Sequence, residues 1–201
     1  MISATAASAI GAMTLLWFTT AQPASIPLSD WTSQVGDHFI VDTAENRGYL
    51  LRADNSLYTE FPVITGQKRI VTYISRTYNA ETPNWHWVVK SKHIKGDRTT
   101  FGPTGRFLRL YKDGEDYTSY GIHEHRSEVR MFGEVDRYQS MGCIIVQSAV
   151  LDVVERTYEL NGEMLDVVTQ TGVGPDTIAQ EMGERLSARA GNSPSGKGVR
   201  E

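Results

Sequence analysis

The residues best suited to do chemistry in this sequence are its one cysteine, Cys143, and a histidine upstream of it. Cys143 lies in the segment Ser140-Met-Gly-Cys-Ile-Ile-Val146, and sixteen residues separate Ser140 from His123. A thiol attacks a carbonyl as its thiolate, and a free cysteine has a pKa near about 8.5, so catalysis requires a neighbouring base. The spacing therefore predicts that Cys143 is a nucleophile and that His123 is its general base.

The residues just before Cys143 suit a tight turn that presents the thiol. Gly142 permits a sharp bend of the backbone. We expect the backbone amides of this turn, at Met141, Gly142 and Cys143, to bind a developing oxyanion. Ser140 is expected to form a hydrogen bond near the histidine or to shape the turn, and an ordinary turn serine is the alternative.

Each of these residues also has a simpler structural interpretation. Cys143 is followed by three aliphatic residues and could be a small buried core residue. His123 and His125 would share one face of a strand, and with Glu124 they invite a metal site. No second ligand pair with zinc-type spacing appears, so we expect no metal and assign His125 to a pocket or to the surface.

Composition and charge exclude several other functions. Hydrophobic residues are 40% and charged residues 22% of the 201 residues, which is typical of a soluble globular domain. Twenty Lys and Arg against 24 Asp and Glu give a net charge of -4, which supplies no basic field for nucleic acid. A single cysteine leaves no internal disulfide.

The first 29 residues carry no charged side chain and predict an export signal. The apolar run from Ala9 to Phe18 is shorter than a membrane-spanning helix, and small residues at Thr19 and Ala21 suit a peptidase site. No Lys or Arg precedes the run, so an uncleaved anchor and a buried helix are alternatives. We expect an exported protein of the periplasm or cell envelope, with membrane contact only through this segment if it is uncleaved.

Short strands make up most of the remaining chain. The stretches 38–42, 48–52 and 57–64 predict a β-meander. One long helix is predicted from Ser148 to Asn161-Gly162, followed by a strand from Met164 to Thr169. A weaker helix is predicted from Asp176 to Ala190, within a C-terminal segment, 173–201, that ends in a disordered tail. Further strands are predicted at 69–75, 85–91, 106–111, 117–123 and 128–132.

The order of these motifs resembles the L,D-transpeptidase, or YkuD-like, catalytic domain. That family has a His-Gly element, a spacer of similar length, and then Ser/Thr-His-Gly-Cys. Thr65-Gly66 and Thr82-Pro83 match two upstream family elements, and the resemblance runs from about Asp37 to Thr169. It implies one catalytic domain over 30–172 with a mostly β fold, a β-sandwich with one main helix after the catalytic Cys turn.

The sequence departs from the family at three positions near the predicted site. Glu124 replaces the Gly after the histidine, Met141 replaces the His before Gly-Cys, and Ile145 replaces an Arg. Because an arginine fork binds a carboxylate through two bonds, another residue must hold the substrate. The nearby arginines are Arg126, Arg130 and Arg137, and the expected substrate-binding residues are Tyr120, His125 and Arg137. Trp85 and Trp87 are either core residues of a strand or a sugar-stacking wall.

The resemblance implies acyl transfer on peptidoglycan stem peptides without a cofactor. Cys143 would attack the amide before the terminal D-Ala of a tetrapeptide stem, and His123 would protonate the leaving amine. The thioester would pass to a second stem, to a wall-linked protein or to water. An L,D-carboxypeptidase or amidase with the same residues and a non-catalytic wall-binding module are the alternatives.

Overall fold

The computed structural model describes residues 23–174 and residue 177 of the chain. These residues form thirteen strands, two α-helices and a short 3-10 helix at Leu28–Asp30. The helices are α1 (Glu128–Gly133) and α2 (Ser148–Leu160). In chain order the strands are β1 (Ala24–Ser25), β2 (His38–Asp42), β3 (Arg47–Leu51), β4 (Leu57–Pro62), β5 (Thr65–Gly66), β6 (Ile70–Tyr73), β7 (Arg76–Asn79), β8 (His86–Ile94), β9 (Arg106–Lys112), β10 (Asp116–His123), β11 (Tyr138–Ser140), β12 (Ile144–Ile145) and β13 (Leu165–Gln170).

Nine of these strands form one mixed sheet in the order β1-β4-β3-β2-β13-β8-β9-β10-β12. The antiparallel meander β2-β3-β4 occurs where the sequence predicts it. After α2 the chain returns as β13, which pairs in parallel with β2 and antiparallel with β8. This return joins the meander to β8, β9 and β10, and β12 then pairs in parallel with β10 beside the predicted nucleophile. The predicted mostly β fold with one main helix after the Cys turn is confirmed.

The core lies between one face of this sheet and α2. Trp87, Leu108 and Ile122 are fully buried there, on three neighbouring strands. The predicted apolar stripe of α2 packs against them through Leu151 and Val154. Full burial of such a side chain stabilises a fold by about 1.5 to 3 kcal/mol, so these contacts fix the strands that carry the predicted site.

Two predicted strands have a different structure. The segment 128–132 is helical in α1, because Met131 packs on Ile64 and Ile145 and a run this short carries no decisive periodicity. The segment 69–75 is one strand and the turn of a separate hairpin, β6-β7. Ile74 and Ser75 form its turn with φ angles of 48° and 61°.

The end of the predicted leader is part of the folded domain. β1 pairs in parallel with β4, and Ile26 and Leu28 pack against the core. A cleavage at the small residues near Ala21 would therefore leave β1 on the domain. No helix among the described residues is long and apolar enough to cross a membrane. Residues 1–22 and the predicted helix from Asp176 to Ala190, apart from residue 177, lie outside the described residues.

Candidate active site

Strands β10 and β12 bring the two predicted residues to the same face of the sheet. In their parallel pairing Ile122 lies opposite Ile144, and His123 lies opposite Ile145. Ile122 and Ile144 point into the core, so by strand alternation His123 and Cys143 belong to the opposite face. Cys143 is half-buried and lies outside the apolar core clusters of the described residues.

The thiol and the imidazole are neighbours that do not hydrogen-bond to each other in this structure. The Sγ atom of Cys143 lies 4.0 Å from the carbonyl oxygen of Ser119. Extension of the register places Cys143 opposite Gly121, two residues before His123, which corresponds to about 6.7 Å along the strand. Catalytic hydrogen bonds are often long without substrate and tighten when it binds.

His123 is buried between two phenylalanine rings. Its ring centroid lies 5.0 Å from that of Phe101 and 5.9 Å from that of Phe107. Nδ1 lies 2.7 Å from the carbonyl oxygen of Glu124, so Nδ1–H donates to this oxygen and Nε2 carries the lone pair. Burial lowers the pKa of His123 to about 4, so the ring is neutral at neutral pH. A neutral imidazole with a fixed tautomer has one unprotonated ring nitrogen, which a general base requires.

Cys143 is a neutral thiol in the resting protein. Burial raises the pKa of the Cys143 thiol to about 11, although a backbone contact at Gly121 and the positive charges of Arg109 and Lys95 lower it in part. With His123 also neutral, the site holds a thiol and an imidazole and not a standing ion pair. Nucleophilic chemistry at this thiol would therefore require a base that takes the proton as the thiol attacks.

Ser140 shapes the turn before Cys143. Its Oγ accepts a hydrogen bond from the Gly142 amide at 3.1 Å and donates to the Cys143 carbonyl oxygen at 2.6 Å. Gly142 has a φ of +108°, a conformation that side chains with a Cβ rarely adopt. Because the Gly142 amide is occupied by Ser140, the remaining candidate donors of this turn are the amides of Met141 and Cys143.

The two upstream family motifs meet beside this turn. Thr82 Oγ1 donates to the Gly142 carbonyl oxygen at 3.0 Å and accepts from the Gly66 amide at 2.8 Å. The Gln67 amide donates to the Ser140 carbonyl oxygen at 3.0 Å. Thr65-Gly66 and Thr82-Pro83 therefore hold the backbone that presents Cys143, which gives a physical reason for their presence at these positions.

Two tyrosines flank the thiol. The Tyr120 ring lies against Gly142, where a Cβ would be 2.4 Å from a ring carbon. Burial, and then the charge of the Cys143 thiolate, raise the pKa of Tyr120, and the same two causes raise the pKa of Tyr78 on β7. The sequence predicts Tyr120 as a site residue but not Tyr78, because only the hairpin β6-β7 brings Tyr78 near Cys143.

The paired tryptophans have different environments. Trp87 is fully buried in the core, and Trp85 is 37% exposed. Their ring centroids are 5.0 Å apart, and both rings contact Tyr120 edge to face. The core interpretation therefore holds for Trp87, while Trp85 forms an exposed aromatic edge next to Tyr120.

The three departures from the family pattern have distinct surroundings. Ile145 is buried against Ile64 and Met131, so an arginine side chain has no room for a substrate contact there. Met141 is half-buried, and its sulfur lies 3.6 Å from the Gln67 side-chain nitrogen. The Glu124 carboxylate is bound to Thr104 and Ser148.

His125 and Arg137, the other two residues assigned to substrate binding from sequence, have different surroundings. The ring of His125 accepts a hydrogen bond from the Ser127 amide at 3.0 Å, and burial and the charge of Arg130 lower the pKa of His125. Arg137 is half-buried before β11, and its Nε atom has no hydrogen-bond partner among the described residues. The cations whose charges reach Cys143 are instead Arg109 and Lys95, which the sequence does not single out.

The Glu124 carboxylate ties three segments together behind the histidine. It accepts hydrogen bonds from the Thr104 amide at 2.8 Å, from the Thr104 hydroxyl, and from the Ser148 hydroxyl at 2.6 Å. Ser148 begins α2, where a carboxylate is favoured by the helix dipole. Burial alone raises the pKa of Glu124, but the bonds from Ser148 and Thr104 outweigh burial and hold this pKa below its usual range.

We expect Glu124→Gln to destabilise the fold by roughly 1.5 to 3 kcal/mol at pH 7, because the negative charge is lost and one of the two oxygens that accept from Thr104 and Ser148 becomes an NH2 group. A carboxyl with a lowered pKa contributes stability above its unfolded pKa and loses it as pH falls. The difference from the wild type should therefore shrink below about pH 4. Urea unfolding at pH 7 and at pH 3.5 measures this change.

The matched control for this variant is Glu134→Gln at an exposed carboxylate. Glu134 lies 4.0 Å from Arg130 at the end of α1 and its side chain is 54% exposed. Surface ion pairs contribute roughly 0 to 1 kcal/mol, so this change should be small at both pH values. Equal losses in the two variants would contradict the role assigned to Glu124.

The residues weighed for a metal site make other contacts in this structure. No group of three or more His, Cys, Asp or Glu among the described residues is arranged to hold a metal ion. His123 is packed between aromatic rings, and the Glu124 carboxylate is bound to Thr104 and Ser148.

Comparisons with known proteins identify the fold. A family model described as the L,D-transpeptidase catalytic domain, YkuD, matches residues 36–172. An L,D-transpeptidase from Xylanimonas cellulosilytica is 17% identical, with a TM-score of 0.49, over 70% of this chain and 63% of that chain. Bd1075 from Bdellovibrio bacteriovorus is 12% identical, with a TM-score of 0.50, over 77% of this chain and 56% of that chain. No curated protein is a significant match.

The fold is that of L,D-transpeptidase domains. Since the family model covers most of the chain, this protein belongs to the L,D-transpeptidase catalytic-domain family. The family model describes the catalytic domain of L,D-transpeptidases. The chain spans less than two thirds of the length of the solved chains named above. The predicted family is confirmed.

Proposed function

We propose that this protein is a peptidoglycan L,D-transpeptidase that works through a thioester on Cys143. The observation that carries the proposal is the placement of Cys143 and His123 on one face of neighbouring strands, outside the core. The family motifs at Thr65-Gly66 and Thr82-Pro83 support it, because both hold the backbone of the Cys143 turn.

The reaction begins with a neutral thiol. His123 Nε2 takes the proton as Sγ attacks the carbonyl carbon of the amide before the terminal D-Ala. The Glu124 carbonyl oxygen, bound to Nδ1–H, fixes this tautomer and stabilises the imidazolium that forms. The imidazolium then gives its proton to the departing amine, and free D-Ala leaves a tripeptide thioester on Cys143. Attack by an acceptor amine forms the new amide and restores the thiol.

The oxyanion of the tetrahedral intermediate is stabilised by the backbone before and at Cys143. The Cys143 amide is the first donor, because the Gly142 amide already donates to Ser140. The Met141 amide is the second donor to the oxyanion. Loss of one such donor typically costs about 3 to 4 kcal/mol of barrier. In this proposal Ser140 and Gly142 set the backbone conformation of the turn, and Met141 contributes its amide. Tyr120 and His125 border the site that binds the donor.

The substrate places the protein in the periplasm or cell envelope. Peptidoglycan stems are crosslinked outside the cytoplasmic membrane, so the uncharged segment that precedes β1 serves as an export signal or anchor in this proposal. The reaction needs no cofactor, since nucleophile, base and oxyanion donors are all groups of the protein.

The test uses a purified disaccharide tetrapeptide with and without an acceptor stem. In wild-type protein, intact-mass spectrometry should show an adduct equal to the donor minus D-Ala, and muropeptide analysis should show crosslinked dimers. Cys143→Ala should show neither. Tripeptide without dimers would favour the L,D-carboxypeptidase, and binding without any adduct or product would favour the wall-binding module.

A further inference from the structure

A buried arginine lies in the same row of the sheet as the nucleophile. In the pairing of β9 with β10, Arg109 lies opposite Gly121. β12 begins at Ile144, and extension of its pairing with β10 by one residue places Gly121 opposite Cys143. The three residues therefore follow one another across three adjacent strands on one face, with about 10 Å between the outer Cα positions. Gly121 has no side chain to separate them.

The charge of Arg109 has no carboxylate partner among the described residues. The residue is 7% exposed, and the ion pairs found within residues 23–174 do not include it. Nη1 donates to the Thr118 carbonyl oxygen, but Nε has no hydrogen-bond partner. Burial of an unpaired charge is costly, and buried charges are normally paired. The Nε edge of the guanidinium is one that binds a carboxylate through two parallel bonds.

Aromatic rings hold the guanidinium next to the site. Its Cζ lies 5.1 Å from the Phe107 ring centroid, and the Phe107 ring lies over Gly121, where a Cβ would be 2.3 Å from it. The Tyr117 ring centroid lies 4.5 Å from the Cζ atom of Arg109, and Tyr117 is 69% exposed. The guanidinium therefore lies next to a solvent-exposed side chain.

A second cation, Lys95, lies near the same phenylalanine rings. Lys95 Nζ is 4.9 Å from the Phe107 ring centroid and 6.0 Å from that of Phe101. No ion pair with a carboxylate forms at Lys95 in the described part of the chain. Phe107 and Phe101 are also the rings that enclose His123. Both cations therefore lie beside rings that also contact the proposed base.

We propose that Arg109, assisted by Lys95, binds the terminal carboxylate of the donor stem, the one on the D-Ala that leaves. This inference rests on the proposed function for the identity of the donor. The carboxylate is separated from the scissile carbonyl by only the amide nitrogen and one carbon, so a cation in the row of Cys143 is placed to reach it. Arg109 thereby performs from β9 the task that an arginine at the position of Ile145 would perform in the family.

The experiment compares a tetrapeptide stem that ends in D-Ala with the same stem ending in D-alaninamide. Binding is measured by calorimetry to the Cys143→Ala variant, so that no turnover is required. The acid should bind roughly 10- to 100-fold more tightly than the amide, as for a hydrogen bond to a charged group. Arg109→Met in this background should reduce the ratio to within about threefold, and Arg109→Lys should keep an intermediate ratio.

Two further variants keep the test decisive. Lys95→Gln, at a more exposed position, should lower the ratio partly without the folding risk of a buried change. Arg156→Gln, at an exposed arginine of α2, is the control and should leave the ratio unchanged. Equal binding of acid and amide to the parent variant, or a ratio unaffected by Arg109→Met in a folded protein, would overturn the proposal. If the stem ending in D-Ala binds more tightly than its amide but the wild-type protein forms no product, the result would contradict the proposed transpeptidase activity and leave the carboxylate site standing.

Discussion

Replacement of His123 by Gln should lower the rate of Cys143 acylation by roughly 100- to 10,000-fold, the usual contribution of a general base. The effect is expected to be this large because the resting thiol, with a pKa of about 11, is almost entirely protonated at pH 7. The imidazole, with a pKa of about 4, is neutral and able to take the proton. Rapid-quench mixing with a tetrapeptide donor, read by intact-mass spectrometry, measures the acylation rate.

Alkylation with iodoacetamide separates the loss of a base from the loss of the fold. This reagent reacts with thiolate, so the wild-type rate should rise about tenfold per pH unit from pH 6 to pH 9 without a plateau. His123→Gln should follow nearly the same line, since solvent forms the thiolate in both proteins. His86→Gln, at a half-buried histidine of β8 that has no role in the proposed site, is the control and should acylate at close to the wild-type rate. A plateau below pH 8 in wild-type protein would show a standing thiolate–imidazolium pair and contradict the neutral resting state.

The pair itself is predictable from sequence because its geometry is local. His123 ends one strand, Cys143 precedes another, and alternation along each strand decides which face each side chain takes. The long helix α2 is predictable for a similar reason, since its apolar stripe repeats over thirteen residues. Such features depend on neighbours in the chain, so a single sequence contains them.

Arg109 and Glu124 could not be assigned in this way, because their partners are set by strand order and loop packing. Arg109 is near Cys143 only because β9 and β12 both pair with β10. Glu124 binds Thr104 and Ser148, which lie 20 and 24 residues away in the sequence. The only available signal at Arg109 is a charge between apolar residues of a strand, which indicates a special environment without identifying it.

The prediction of short elements was wrong for a different reason. A six-residue segment such as α1 has too few positions to separate a helical period from a strand period. Contacts of Met131 with Ile64 and Ile145 decide in favour of the helix. The same helix covers Ile145, so one tertiary contact both overturns the predicted strand and explains why the family arginine has no counterpart there.

The second large effect is expected at the catalytic turn, where Gly142→Ala should reduce acylation by at least about 100-fold and also destabilise the protein. A side chain at a φ of +108° is strained, typically by about 1 to 3 kcal/mol. The new Cβ would also lie 2.4 Å from the Tyr120 ring, which cannot yield easily because it packs on Trp87. Relief of both conflicts displaces the Cys143 amide and Sγ together. Acylation rates and urea unfolding measure the two effects.

Gly162→Ala is the matched control, because Gly162 has a φ of +70° but no atom lies within 4 Å of its added Cβ. It should show the backbone strain alone, with a loss of stability and a nearly unchanged acylation rate. Tyr120→Ala in the Gly142→Ala background should then recover part of the stability, since the two changes share one contact and are not additive. If Gly142→Ala acylates at the rate of Gly162→Ala, the position of the turn does not control the nucleophile, and the oxyanion role of the Cys143 amide must be abandoned.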